Sequence, residues 1–165
     1  MSHEYRRAQA GDFAAVQQML ELYQYELSDI WPQELDAQGR YGYDLEPHRA
    51  GITHHAHVAL QEGRPAGFAL VSPAWVTGQA GHWMEQFFVL RRHRRSGLGR
   101  AFAAHVFMSH PGAWEVGEMT ANVAAQSFWR DVIGAFCAGN YTERVLTEGR
   151  WLGVVQCFYV GMARG

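Results

Sequence analysis

His82-Trp83-Met84-Glu85-Gln86-Phe87-Phe88-Val89-Leu90 leads, with three residues between, into Arg94-Arg95-Ser96-Gly97-Leu98-Gly99-Arg100. The first run is apolar on both alternations, with Trp83, Phe87 and Val89 on one side and Met84, Phe88 and Leu90 on the other. A strand covered on both faces belongs at the centre of its sheet. Beyond the loop, Leu98, Ala101, Phe102, His105 and Val106 recur at helical spacing and predict a helix that ends before Pro111. Strand, Arg-x-x-Gly-x-Gly, helix is an arrangement for holding an anion, because helix N-terminal amides and the positive end of the dipole point at the loop. Gly97 and Gly99 clear side chains from that approach, and Arg94 with its neighbours offers charge for phosphate oxygens. A basic surface turn would satisfy the same pattern. A Walker loop needs Lys, which is absent, and a dinucleotide loop needs a third glycine where Phe102 stands.

Working outward, Tyr5 to Ala8 reads as a strand and Gly11-Asp12 as a helix start, with Asp12 at the N-cap accepting from first-turn amides. Phe13, Val16, Leu20 and Tyr23, with Met19 and Leu27 beside them, give that helix one buried face. From Asp29 to Gly51 periodicity is lost, predicting a long loop with room for a helical turn. His55 to Gln61 and Gly67 to Trp75 read as strands around the turn Glu62-Gly63-Arg64-Pro65. A strand from Ala113 to Thr120, a helix from Val123 to Ile133 closed by Gly134, and strands near Tyr141 to Leu146 and Trp151 to Val160 complete the order. No repeat or linker divides the chain, so residues 1–165 read as a single domain of mixed α/β class.

Composition narrows the function. With 48% hydrophobic and 18% charged residues the chain reads as soluble and globular, and no run approaches a membrane span. The net charge of −2 argues against bulk electrostatic binding to nucleic acid or membrane. All 14 basic residues are Arg, which excludes Schiff-base lysine chemistry. Cys137 and Cys157 show no metal-ligand or redox spacing, nothing marks a leader, and a reduced cytoplasm is the expected location. His55 and His57 share a strand face beside His54, but no further ligands accompany them, so no metal is expected.

A second segment, Asn122-Val123-Ala124-Ala125-Gln126-Ser127-Phe128-Trp129, starts 28 residues after Arg94. Together with Arg94, Gly97 and Gly99 it resembles the two motifs of the GCN5-related N-acetyltransferase family. What the resemblance implies is an α/β fold with a splayed central sheet flanked by helices. It implies acetyl-CoA as co-substrate, its pyrophosphate on Arg94, Arg95, Ser96, Gly97, Leu98, Gly99 and Arg100. Its pantetheine would lie along Phe88, Val89, Asn122, Ala125, Phe128 and Trp129. The acetyl group would pass directly to a small amine, with a homodimer left open.

Such an attack needs a neutral amine and a donor for the oxyanion. Glu85, on the Trp83 side of the strand, is the candidate base, with His82 as the alternative. Apolar neighbours would disfavour the charged form of Glu85, which suits a base. Where the family commonly carries a tyrosine that protonates the thiolate, this sequence has Trp129, so either Tyr141 or a water is the candidate acid or the thiolate leaves unassisted. That departure also admits a catalytically silent acyl-CoA sensor. Trp31, Tyr41 and Tyr43, among Asp29, Glu34, Asp36, Asp44 and Glu46, occupy the loop expected to border the acceptor.

Overall fold

The computed structural model describes residues 2–162. Its strands are β1 His3–Arg7, β2 His55–Gln61, β3 Arg64–Pro73, β4 His82–Val89, β5 Gly112–Glu118, β6 Thr142–Leu146 and β7 Gly153–Val160. Among the described residues they form one open mixed sheet in the order β1-β2-β3-β4-β5-β7-β6. The helices are α1 Phe13–Leu27, α2 Glu46–Ala50, α3 Leu98–Ser109 and α4 Val123–Phe136. The two-sided apolar run is indeed the central strand, and α2 is the helical turn within the long loop. Two compact units make up the chain: residues up to Leu70 with Gln86–Leu98, and Val71–Glu85 with Gly99 onward.

In the first unit, Phe13, Val16, Met19 and Leu20 of α1 join Ala56 and Val58 of β2, Phe68 and Leu70 of β3, and Phe88 of β4 in one core. Tyr23 closes it, with its ring 5.3 Å from Phe88 and 6.4 Å from Phe68. Burial, reinforced by the nearby Glu26 charge, pushes the Tyr23 hydroxyl up to about 12. Two expectations are corrected here. The β2–β3 turn is only Glu62-Gly63, at φ 52° and 73°, the double left-handed geometry that matches strand twist, and Arg64 and Pro65 already belong to β3. Asp12 caps no α1 amide. Its Oδ2 instead accepts from the Gln9 N–H at 2.7 Å, and the Arg6 guanidinium holds it at 2.5 and 3.1 Å.

The second unit is built on β5 and β7, antiparallel over seven pairs from Gly112↔Val160 to Glu118↔Val154. β4 runs parallel to β5, with His82 opposite Trp114 and Trp83 opposite Glu115. Phe107 of α3 sits edge-on to Trp114, Phe158 and Phe136, at centroid distances of 4.9, 4.9 and 5.2 Å. The buried residues of α3 are Leu98, Phe102, Ala103, Val106 and Phe107. The expected stripe is therefore turned by about one residue: Ala101 is exposed and His105 half-buried.

Gly134 does not close α4, which continues to Phe136. A Cβ on Gly134 would make only ordinary contact with the Tyr141 ring, at 3.8 Å. The stop comes at Ala138 and Gly139, both left-handed, and the Gly139 N–H reaches back to the Gly134 carbonyl at 2.8 Å.

Candidate active site

Between β4 and α3 the chain makes a short 3-10 turn, Arg91–His93, and then the loop through Gly97. Arg94 is engaged at all three guanidinium nitrogens. Its Nε donates to the Val89 carbonyl at 2.7 Å, its Nη1 and Nη2 donate to Glu26 at 3.0 and 2.7 Å, and its guanidinium lies 5.4 Å from the Phe88 ring centroid. Arg91 also donates to Glu26, at 2.8 Å. Burial alone would push the Glu26 carboxyl up, but the hydrogen bonds and charges of Arg94 and Arg91 outweigh it and hold it low. On this geometry Arg94 braces the loop against α1. The exposed charges left in the loop are Arg92 and Arg95, which make no ion pair among the described residues.

Arg95 at φ 60° and Gly97 at φ 85° turn the chain into α3. The Ser96 hydroxyl donates to the His93 carbonyl at 2.7 Å and accepts from the Leu98 N–H at 3.4 Å. The remaining first-turn amides of α3 have no acceptor within the helix. A Cβ on Gly97 would meet nothing within 4 Å, so the backbone there is open to a bulky anion. Arg100 pairs with Asp131 of α4, both well exposed, and such a pair rearranges at a cost of about 0–1 kcal/mol.

At the start of α4, Asn122 accepts from the Ala125 N–H at 3.2 Å, which makes it the helix cap. The Gln126 amide donates to the carbonyls of Met119 and Thr120 at 3.1 and 3.0 Å and fixes the corner after β5. Phe128 lies edge-on to Trp129 at 4.9 Å, and Trp129 packs 6.1 Å from Phe107 at 6% exposure. Trp129 therefore contributes mostly to the core of the second unit.

Glu85 is half-buried on β4, and strand alternation puts it on the Trp83 face. The alternative base, His82, is committed elsewhere: Nε2 lies 3.0 Å from the Pro111 carbonyl, and the ring packs on Trp114 and His110 at 5.2 and 5.3 Å. Tyr141 follows α4, its N–H on the Gly139 carbonyl at 3.0 Å. The histidine run is dispersed. His54 packs on His48 at 5.2 Å, His55 Nδ1 meets the Arg7 guanidinium at 2.6 Å, and His57 is buried. Among the described residues no group of three or more His, Cys, Asp or Glu could hold a metal, and no helix is long and apolar enough to cross a membrane.

Sequence reasoning missed two clusters. Trp75, Trp83 and Trp151 meet over β5, at centroid distances of 5.5, 5.1 and 6.5 Å. On the opposite face of β5, buried Glu118 accepts from the Gln156 amide at 2.9 Å, and the same nitrogen donates to Glu143 at 3.0 Å. Arg130 grips Glu143 with contacts of 2.8–3.1 Å. Glu118 Oε2 and Gln156 Oε1 are buried without a donor. Burial first, then the Glu143 charge, pushes the Glu118 carboxyl up to about 8 against the opposing pull of Gln156 and Arg130. The available signal was a polar residue inside an otherwise apolar strand, as in Val154-Val155-Gln156-Cys157-Phe158.

A mixed sheet with this strand order and a glycine loop opening α3 defines the acyl-CoA N-acyltransferase architecture. The model of the acetyltransferase (GNAT) family matches residues 16–135, and the chain belongs to that family. An acetyltransferase from Thermus thermophilus has the same fold at a TM-score of 0.68 and 15% identity, over 97% of this chain and 98% of that one. Another is yncA of Salmonella typhimurium, solved with its cofactor acetyl-CoA, at 0.64 and 18% identity over 96% and 94%. A third is the ribosomal-protein-S18-alanine N-acetyltransferase of Escherichia coli, at 0.61 and 16% identity over 99% and 97%. No relative of curated function matches the sequence.

Proposed function

We propose that this chain is a single-domain cytoplasmic N-acetyltransferase that moves the acetyl group of acetyl-CoA directly to the primary amine of a small molecule. The observation that carries this reading is the loop entering α3. There, the space beside Gly97 is open, first-turn amides lack helical acceptors, Arg92 and Arg95 are exposed, and Arg94 is locked on Glu26 and Val89. These groups suit the phosphates of a CoA thioester.

Acetyl-CoA supplies an activated acyl carbon when bound; the remaining work falls to the chain. In this reading Glu85 takes the proton of the attacking amine, a β4 backbone N–H near Phe88 and Val89 stabilises the oxyanion, and Tyr141 returns a proton to the thiolate. Trp129, buried against Phe107, adds apolar contact and no proton.

Saturation at one hundred times the dissociation constant adds about 2.7 kcal/mol, a clear rise in melting temperature. Acetyl-CoA and CoA should both produce it, and ATP and NAD should not. Glu85→Gln should lose about 100-fold in turnover with acetyl-CoA affinity kept. An acidic limb of the pH-rate profile that survives the substitution would clear Glu85 of the role. The tryptophan in place of tyrosine favours a second reading, a silent acyl-CoA sensor. Binding of acetyl-CoA without turnover on any amine selects it.

A further inference from the structure

Glu26 stands in the last turn of α1, where the carbonyl end of the helix dipole disfavours an acid and the helix carries no base of its own. Its side chain is only 23% exposed, so burial also works against its charge. Two arginines from one short stretch of chain offset both costs. Arg94 lies fork to fork on the carboxylate, with Nη1 on Oε1 at 3.0 Å and Nη2 on Oε2 at 2.7 Å, and Arg91 Nε donates to Oε1 at 2.8 Å. Arg91 opens the 3-10 turn after β4 and Arg94 follows it, with the Arg94 N–H on the Arg91 carbonyl at 3.2 Å. One carboxylate therefore holds both ends of the turn from which the glycine loop departs. Ser96 fastens that loop to the same turn through its hydrogen bond to the His93 carbonyl. All of these residues belong to the first unit.

An anion site that worked by charge alone would not carry this acid. Two free guanidiniums attract a phosphate more strongly than two already paired with a carboxylate. With Glu26 in place that charge is neutralised inside the fold, and what the loop gains is a fixed shape. We propose that Glu26 is a positioning residue for acetyl-CoA, holding the β4–α3 loop in the conformation that receives the pyrophosphate. It touches no reacting atom. This assignment rests on the acetyl-CoA reading of the loop and adds to it a residue that stands 68 positions before Arg94. A loop held in its binding shape has less ordering left to do, so removing the clamp weakens affinity. A second acid on α1 supplies the comparison: Glu21 accepts from the Tyr41 and Gly42 N–H groups at 2.8 and 3.4 Å and so ties the helix to a different loop.

The test measures Kd for acetyl-CoA and CoA by titration calorimetry, over a series of salt concentrations, in the wild type, Glu26→Ala, Glu26→Gln and Glu21→Gln. Glu26→Ala should raise both constants about tenfold. Glu26→Gln keeps the size of the side chain and one acceptor oxygen, and should fall between Glu26→Ala and the wild type. Glu21→Gln should bind both ligands as the wild type does, which separates the clamp from a general loosening of α1. If the freed guanidiniums served the phosphates directly, Glu26→Ala would instead bind more tightly and with a steeper salt dependence, and the proposal would be overturned. Unchanged constants in both Glu26 variants overturn it equally. Amide exchange in the unliganded protein gives a reading that needs no cofactor. Exchange at the His93 and Arg94 N–H groups, which bond within the turn, should quicken in Glu26→Ala and not in Glu21→Gln. If the wild type bound neither acetyl-CoA nor CoA while those amides quickened, Glu26 would remain the residue that shapes the loop and only the acetyl-CoA reading would fall. Unchanged exchange at both amides removes the clamp itself, whatever the loop binds.

Discussion

Strand β5 carries two acids three residues apart, Glu115 and Glu118, each only 3% exposed, yet their surroundings are opposite in kind. Glu115 meets two backbone donors, one on each oxygen, and so ties down the β3–β4 loop. Glu118 meets one shared amide, faces the like charge of Glu143, and leaves an oxygen with no donor. Equal burial does not make equal carboxyls. The supply of hydrogen-bond donors differs between the two faces, and the poorly supplied one favours a protonated acid at Glu118. The Glu115 face also holds the tryptophans, whereas the Glu118 face runs into the corner that starts α4.

The comparison breaks most severely if the tryptophan face is forced off β5. Gly117→Val should cost about 3 kcal/mol, read by urea denaturation, because a Cβ at Gly117 would stand 2.4 Å from Trp83 Cη2 and Trp83 has no room to retreat in a packed interior. An unchanged midpoint would mean that the rings do not lie on this strand.

A pH series sharpens the other side. Because the folded Glu118 carboxyl is raised from about 4.5 to about 8, its contribution is fully present below the lower value and is lost as pH climbs through the upper one. Glu118→Gln removes that slope and offers a donor where two acceptor oxygens lack one. At pH 8.5 the variant should be the more stable protein by about 2 kcal/mol, and near pH 5 the two should converge. Parallel stability curves across that range would show that Glu118 is ionised throughout.

The smallest effect expected is from Glu115→Ala, about 1 kcal/mol, since the amides of Val76 and Thr77 are only partly buried and water can replace the carboxylate. Its signature is local: faster amide exchange at Val76 and Thr77, with the core of the unit unaffected. Exchange unchanged at both amides would deny the carboxylate its role in the loop.

Element order and the centrality of β4 were legible because they depend on local periodicity and on apolar faces. Ala101 and Gly134 were misjudged for a related reason: a stripe can rotate by a residue, and a glycine inside a helix need not end it. The candidate loop was readable as a motif, but the fate of its charge was not. Arg94 finds Glu26 across 68 residues of chain, a pairing no spacing rule announces. Arg150 reaches the Trp75 carbonyl across 75 residues, and Glu118 meets Gln156 across 38, so the tryptophan face and the buried acid exist only after folding.

The clamp on Glu26, the Arg100–Asp131 pair and the grip of Arg130 on Glu143 share a chemical property. Their cations are guanidinium groups, in a chain that contains no lysine. Guanidinium stays protonated far above neutral pH and offers no nucleophilic lone pair, whereas a lysine amine near a thioester can be acylated by it. A protein that handles reactive acyl donors is in this way inert to them at every side-chain cation. Its ion pairs cannot be neutralised one by one by stray acylation, however long the donor lingers.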